Sequence, residues 1–175
     1  MSERSNTFQV KIQPWSETDF PLLQLLNAPE MTEHLGGPET EEQIVARHRR
    51  YVDTSGKETG CMFSVILLPE AISVGSVGYW DRIWQGETVY EIGWSILPAF
   101  QGKGIASAAV TEIITRCRAE QKHKSVHAFP SVNNPASNAI CRKLSFTLVS
   151  ECDFEYPPGS IMMCNDWRLE LPPAT

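Results

Sequence analysis

Gln101-Gly102-Lys103-Gly104-Ile105-Ala106 lies between a strand-like run, Val89 to Leu97, and a strongly periodic helix beginning near Lys103. A glycine-rich turn that opens a helix is an anion cradle, because the backbone N–H groups of the first helical turn are unpaired and the helix dipole adds partial positive charge there. Gly102 and Gly104 carry no Cβ, so a ligand can approach their backbone closely.

A tight turn between strand and helix is the plain account of two such glycines, and three phosphate-loop readings stand beside it. A Walker-type loop needs Lys followed by Ser or Thr, whereas Lys103 is followed by Gly104. A dinucleotide fingerprint wants Gly or Ala where Ser107 stands and an acidic residue about 20 positions on, where Lys122 and Lys124 lie instead. The third reading is the Gln/Arg-x-x-Gly-x-Gly/Ala loop that binds the pyrophosphate of coenzyme A, and Gln101, Gly104 and Ala106 fit it. Related segments continue in order on both sides: Tyr90-Glu91-Ile92-Gly93-Trp94-Ser95-Ile96 before the loop, then Val126-His127-Ala128, Asn134-Pro135-Ala136-Ser137 and Lys143-Leu144-Ser145-Phe146. Over this stretch the chain resembles the GNAT superfamily of N-acetyltransferases. Asn-x-x-Ser before a helix ending in a Lys-Leu-Gly-Phe-like sequence is similar to the RimJ/RimL branch, except that Ser145 stands where that branch has Gly. A helix C-cap would prefer Gly there.

Outward from the loop, Met62 to Leu68, Ile72 to Trp80 and Val89 to Leu97 read as an antiparallel meander, broken at Pro69-Glu70 and around Gln85-Gly86. Before it, alternating Phe8 to Ile12 is a half-buried strand ending at Pro14. Ser16 and Thr18-Asp19 can cap a short helix through Leu22, Leu23, Leu25 and Leu26, which Pro29 stops. Gly36-Gly37-Pro38 is a turn, and Thr40 can cap a second helix to about Asp53. Beyond the loop, Ile105, Ala106, Ala109, Val110, Ile113, Ile114 and Cys117 recur on one helical face that must pack on the sheet. Ser125 to Phe129 reads as a strand, Pro135 to Leu144 as a helix, Phe146 to Cys152 and Ile161 to Leu171 as closing strands, with Pro157-Pro158-Gly159 as the turn between them. The order is an α+β pattern of meanders and crossovers. It also matches the family's order, which implies one GNAT-like domain over residues 1–175: a mixed, mostly antiparallel twisted sheet of about seven strands flanked by about four helices.

At 175 residues the chain suits a single domain with a proper core. A net charge of −6 argues against a nucleic-acid footprint, which needs a clustered basic face, and suits an amine-bearing substrate. Cys61, Cys117, Cys141, Cys152 and Cys164 form no Cys-x-x-Cys pair and no zinc spacing, so reduced cytosolic thiols are expected. Met1 to Thr7 is polar and lacks a signal's apolar stretch, and the apolar run around Val65 to Leu68 is far below the roughly 20 residues of a membrane span. The expectation is a cytoplasmic protein with no membrane or nucleic-acid partner and no metal, a monomer or homodimer.

The resemblance implies the site. In the family the fourth and fifth strands splay and the pantetheine arm of the cosubstrate, acetyl-CoA, lies in the opening. The backbone of Trp94, Ser95 and Ile96 and the side chain of Asn134 would then face the cofactor, with Gln101, Gly102, Lys103, Gly104, Ile105, Ala106 and Ser107 around the pyrophosphate. Asn134 offers both an amide donor and an acceptor, and reads equally as a turn residue before Pro135. Direct attack by an amine needs a base, an oxyanion donor and a proton for the thiolate. The family's oxyanion donor falls near Ser95 or Ile96. Glu91 stands where part of the family has its base; it shares a strand face with Gly93 and Ser95, and apolar flanks would raise its pKa, while a cross-strand salt bridge is the alternative. Many members place a Tyr acid where this chain has Cys141. Ser137 is the acid the RimL-like branch would supply, or else a helix cap. Trp84 and His34 are candidate walls of the acceptor pocket, although aromatic packing and a solvated loop His account for them equally. Two functions follow: an acetyl-CoA-dependent N-acetyltransferase acting on a protein N-terminus or a small-molecule amine, or a non-catalytic acyl-CoA-binding sensor or assembly subunit.

Overall fold

The structure is a computed structural model that describes residues 8–54 and 60–173. The reading of Met1 to Thr7 lies outside the described residues. Seven strands form one sheet: β1 (Gln9–Pro14), β2 (Gly60–Leu68), β3 (Ile72–Trp84), β4 (Glu87–Ile96), β5 (Ser125–Ala128), β6 (Thr147–Glu155) and β7 (Ile161–Glu170). Their spatial order is β1-β2-β3-β4-β5-β7-β6, antiparallel throughout except for the parallel pair β4 and β5. Among the described residues five α-helices accompany it: α1 (Phe20–Leu26), α2 (Pro29–Thr32), α3 (Glu41–Thr54), α4 (Ile105–Glu120) and α5 (Pro135–Lys143).

The β3–β4 hairpin turns on Gln85 and Gly86, with φ of 51° and 81°. Two left-handed residues make the tight turn whose twist matches that of the strands, so β3 runs on to Trp84 and pairs it with Glu87. The strand thus extends four residues past Trp80, where the sequence pattern ends it. Pro29 also differs from its reading as a plain stop. It occupies the first turn of the short helix α2, where its missing N–H costs nothing, which brings the helices to five rather than about four.

Period-two alternation gives the sheet two buried faces. One carries Phe63, Val65, Val77, Tyr90, Ile92 and Val126 and is covered by Ile105, Val110 and Ile113 of α4 and Cys141 of α5. The other carries Trp15 and Met62 beneath Leu22, Leu23 and Leu26 of α1 and Ile44 of α3. Trp15 donates its indole N–H to Nδ1 of His48 at 3.0 Å, tying β1 to α3. No helix among the described residues is long and apolar enough to cross a membrane.

Helix α5 ends as a Schellman motif. Phe146 N–H bonds to the Cys141 carbonyl at 3.0 Å and Ser145 N–H to the Arg142 carbonyl at 3.2 Å. Ser145 has φ of 68°, so a serine occupies the left-handed position that the motif gives to glycine.

Candidate active site

Strands β4 and β5 pair only at Tyr90 with Val126 and Glu91 with His127. Beyond that point β4 stays bonded to β3 as far as Ile96, while its other edge has no strand partner among the described residues. The Leu97 N–H bonds to the Val74 carbonyl at 2.8 Å. Alternation along the strand therefore turns Ser95 and Gly93 backbone groups toward β3, and those of Ile92, Trp94 and Ile96 toward the open edge. Ser95 thus turns its N–H toward β3; Ile96 is the residue whose N–H faces the opening.

The open edge leads directly to the glycine turn. Gly102 and Gly104 have φ of 73° and 80°, and a Cβ built on either meets nothing within 4 Å. Gly104 is the N-cap of α4 and no side chain caps this 16-residue helix, so the first-turn N–H groups of Ile105, Ala106 and Ser107 face outward beneath an exposed loop. Ile105 and Ser107 are buried, which anchors the helix start on the sheet. The Gln101 side-chain amide donates to the Ile96 carbonyl at 2.8 Å and closes the turn back onto the end of β4. Lys103 swings its ammonium over the rings of Phe8, 5.7 Å away, and Phe100, 6.0 Å away. A pyrophosphate-sized anion would be held here by backbone N–H groups, and the donor set fits such a group.

Across the opening, Asn134 is the N-cap of α5. Its Oδ1 accepts the Ser137 N–H at 3.2 Å, leaving its Nδ2 donors without a partner among the described residues. Ser137 is thus the capped residue rather than the cap, and its hydroxyl makes no hydrogen bond among the described residues. Cys141, at the position of the family's Tyr acid, is 1 % exposed, and burial pushes its thiol pKa up to about 12. It is a neutral packed thiol.

Glu91 is 8 % exposed. Burial pushes its carboxyl up to about 7, against the opposing charge of Arg82. Arg82 Nη1 lies 3.0 Å from Glu91 Oε1, an ion pair that works against the burial, as does the nearby Trp80 side chain. Both sequence readings of Glu91 are therefore present together: a salt bridge and a carboxylate with a raised pKa. Gly93 continues this face under the Trp80 ring, where a Cβ would come within 2.9 Å of the indole.

The chain matches the Acetyltransferase (GNAT) domain over residues 9–147. It is a GNAT protein. The structure of a GNAT-family acetyltransferase from Bacillus anthracis superposes with a TM-score of 0.75 at 21% identity, covering 93% of this chain and 95% of that one. The acetyltransferase from Salmonella typhimurium that modifies the N-terminal serine of ribosomal protein L7/L12 superposes with 0.74 at 18%, over 93% and 95%. Spermidine N-acetyltransferase from Vibrio cholerae, solved with CoA and spermine, gives 0.75 at 14%, over 93% and 96%. No curated protein sequence matches the chain.

Around this GNAT frame the remaining residues take their places. His34 sits in the turn after α2, 3.4 Å from Glu33. That segment bridges the two sides of the opening: Met31 contacts the Gln101 amide through sulfur at 3.8 Å, and a Cβ on Gly36 would reach Pro157 of the β6–β7 turn at 2.9 Å. Arg47 of α3 reinforces the bridge through Glu39 at 2.6 Å and the Tyr156 hydroxyl at 2.8 Å. The Trp84 indole N–H donates to Asp166 Oδ2 at 3.0 Å and its ring packs edge-on to Phe129. Among the described residues no group of three His, Cys, Asp or Glu is arranged to hold a metal ion.

Two networks go beyond what local sequence patterns show. Asn138 is buried with all its capacity used: Nδ2 donates to the carbonyls of Ser131 and Asn134, and Oδ1 accepts from Asn165 and from the Trp167 indole. It fixes the Asn134 loop onto β7. The second network joins His127 to Asp166, Nδ1 to Oδ1 at 2.6 Å. Its signal is a His beside the Glu91 position on the paired strand, visible only once register is known.

Proposed function

We propose that the chain is an acetyl-CoA-dependent N-acetyltransferase acting on a primary amine, either a protein N-terminus or a small-molecule amine. The observation that carries this reading is the free β4 edge running without interruption into an uncapped helix start at Gly104, with Glu91 at the point where β4 and β5 part. When bound, acetyl-CoA supplies an acyl thioester that an amine can attack directly. Gly102, Gly104 and the first N–H groups of α4 hold the pyrophosphate. Ile92, Trp94 and Ile96 backbone groups pair with the pantetheine amides, and the Asn134 Nδ2 group donates from the opposite side. Ile96 N–H polarises the thioester carbonyl. Glu91, with its raised pKa, accepts the amine proton near neutral pH. The Ser137 hydroxyl donates to the departing sulfur.

The relatives that acetylate the L7/L12 N-terminus and spermidine support a primary amine as acceptor. The second reading, an acyl-CoA-binding sensor or assembly subunit, rests on the buried Cys141 in place of a Tyr acid. Thiol release from acetyl-CoA with a panel of peptides and small amines separates them. Transfer to any of these acceptors establishes the enzyme; tight coenzyme A binding without transfer across peptides, polyamines and amino sugars supports the sensor.

A further inference from the structure

Arg82 and Glu91 extend from neighbouring strands on one face of the sheet: Trp80 stands opposite Glu91, and Arg82, two residues on, opposite Val89. Arg82 Nη1 lies 3.0 Å from Glu91 Oε1. A guanidinium carries five N–H donors in a planar fork, so one carboxylate oxygen leaves most of them unused. Arg82 Nε has no hydrogen-bond partner among the described residues. The Arg82 side chain is 32 % exposed and that of Glu91 11 %, so the open part of this ion pair is the cation.

Three aromatic rings fix the guanidinium in place: its Cζ lies 4.3 Å from the Phe154 centroid, 5.8 Å from that of Phe129 and 5.9 Å from that of Trp84. Phe129 packs against both of the others with centroids 4.7 Å apart, and the Trp84 indole is bonded to Asp166. Strands β3 and β6 and the residue after β5 therefore all help to hold one cation beside Glu91. A partly exposed ion pair adds little to stability, so this arrangement is out of proportion to neutralising one carboxylate. Its effect is preorganisation. The charge is already immobilised, and an anion binds it without the usual cost of ordering a long side chain.

In the proposed reaction the acceptor amine comes to Glu91, which puts the atoms next to that amine within reach of Arg82. Carboxylate and guanidinium form a fixed couple of opposite charges, 3.0 Å apart at their nearest atoms. An α-amino acid is the complement of that couple: its ammonium and carboxylate share one carbon, and standard bond lengths put the nitrogen and the nearer oxygen roughly 3 Å apart. A polyamine brings a second cation toward Arg82 and meets repulsion there. An amine with a neutral neighbour leaves the fork without a charged acceptor.

We propose that Arg82 is a specificity-determining residue that binds a carboxylate carried by the acceptor beside its amine. The proposal rests on the acetyltransferase reading, which brings the amine to Glu91. A free α-amino acid supplies that chemistry, with the carboxylate on the carbon that bears the amine, and so does a polypeptide whose first residue is acidic. Arg82 takes the carboxylate through its fork while Glu91 takes the amine, so the reacting nitrogen is oriented from two sides.

The test uses the full chain with coenzyme A bound and no acetyl group to transfer. It is titrated by heteronuclear NMR with glycine, leucine and lysine, each against its amide, and with two peptides that differ only in beginning with Asp or Asn. In the wild type the carboxylate member of at least one pair should bind about 10–100-fold more tightly, the usual worth of a hydrogen bond to a charged group. Arg82→Gln should reduce this ratio to near unity, and Arg82→Lys, which keeps the charge but not the fork, should fall between. A merely structural arginine would weaken both members of a pair alike. In turnover with acetyl-CoA the same ratio should appear in kcat/KM and be carried by KM. Loss of Arg82 also removes the charge that opposes the rise of the Glu91 pKa. That change alters kcat for every acceptor alike, so the ratio within a pair isolates the carboxylate.

Preference among the free amino acids identifies a small-molecule acceptor, and preference confined to the Asp peptide identifies a polypeptide N-terminus; each supports the proposal. No preference in any pair, or one that survives Arg82→Gln, overturns it. The wild-type ratio needs no variant, so its absence decides even if the variants fail to fold. The titrations need no turnover: a protein that binds the carboxylates but acetylates none of them sinks the enzyme reading and leaves the role of Arg82 standing.

Discussion

Glu91 and His127 are the last pair that β4 and β5 share before the strands part. The carboxylate is thereby placed at the apex of the opening, buried by the sheet on one side and adjacent to the free edge of β4 on the other. Burial at this point raises the Glu91 carboxyl, against the opposing charge of Arg82.

Glu91→Gln should lower kcat by about 10²–10⁴-fold at pH 7 and abolish the acidic limb of the profile, leaving coenzyme A affinity nearly unchanged. The substitution also has a stability signature. A carboxyl whose folded pKa is near 7, above its ordinary value of 4.5, contributes stability that is fully present below pH 4.5 and is lost as pH rises through 7. The wild type should therefore lose up to about 3 kcal/mol from this group between pH 4.5 and pH 8, and the Gln variant should not. Denaturant titrations at the two pH values measure it; identical pH dependence in both proteins would mean the carboxyl is not raised.

Gly104→Val should weaken coenzyme A binding by on the order of ten-fold or more, since a branched side chain then stands in front of the helix N–H groups. The added Cβ meets no protein atom, so the cost to the fold is the left-handed φ of 80° alone, about 1–2 kcal/mol. Calorimetry on the folded variant is the check, and an unchanged affinity would remove the pyrophosphate from this loop.

Asn134 caps α5 and leaves Nδ2 unengaged, which makes its two roles separable. Asn134→Ser keeps a cap oxygen and should retain most of the stability while weakening pantetheine-containing ligands by about 1 kcal/mol. Asn134→Ala should lose that affinity and about 1 kcal/mol of stability as well. Thermal melts paired with ligand titrations resolve the two, and full affinity in the Ser variant would leave Asn134 only its cap.

Ser145→Gly should stabilise the protein by about 1 kcal/mol, raising Tm by roughly 2–4 °C, because glycine accepts the φ of 68° without steric cost. Activity and coenzyme A affinity should not change. A lower Tm would mean that the serine hydroxyl contributes more than the strained backbone costs.

Much of this molecule was legible in the linear pattern. The apolar run Met62 to Leu68, the alternation of Phe8 to Ile12 and the apolar stripe Ile105, Ala109, Val110, Ile113 and Cys117 are local patterns, so strands and α4 could be read directly. The glycine turn, the Asn-x-x-Ser helix start and the misfit of Ser145 at a helix exit were equally local, since caps and turns are decided within a few residues. Where local reading erred it was at boundaries: Trp84 belongs to β3 because the Gln85-Gly86 turn is tight enough to pair it with Glu87, and Pro29 opens a turn of helix rather than a loop.

What only the tertiary structure decided is what lies beside what. The sequence by itself determined that a carboxylate, Glu91, stands on the strand before a glycine-rich turn that opens a helix, and that Ser137 and Asn134 stand at a helix start. It carried no sign that Arg82 and His127 would flank that carboxylate, that Asp166, 39 residues from His127, would hold the imidazole, or that Trp84 would bond to Asp166 across 82 residues. Nor could it place the Ser95 backbone inside the sheet and that of Ile96 on the open edge. Those outcomes depend on strand register, and register is set by the packing of both faces of the whole sheet; a slip of one residue would turn Glu91 into the α4 core, away from Arg82 and the opening.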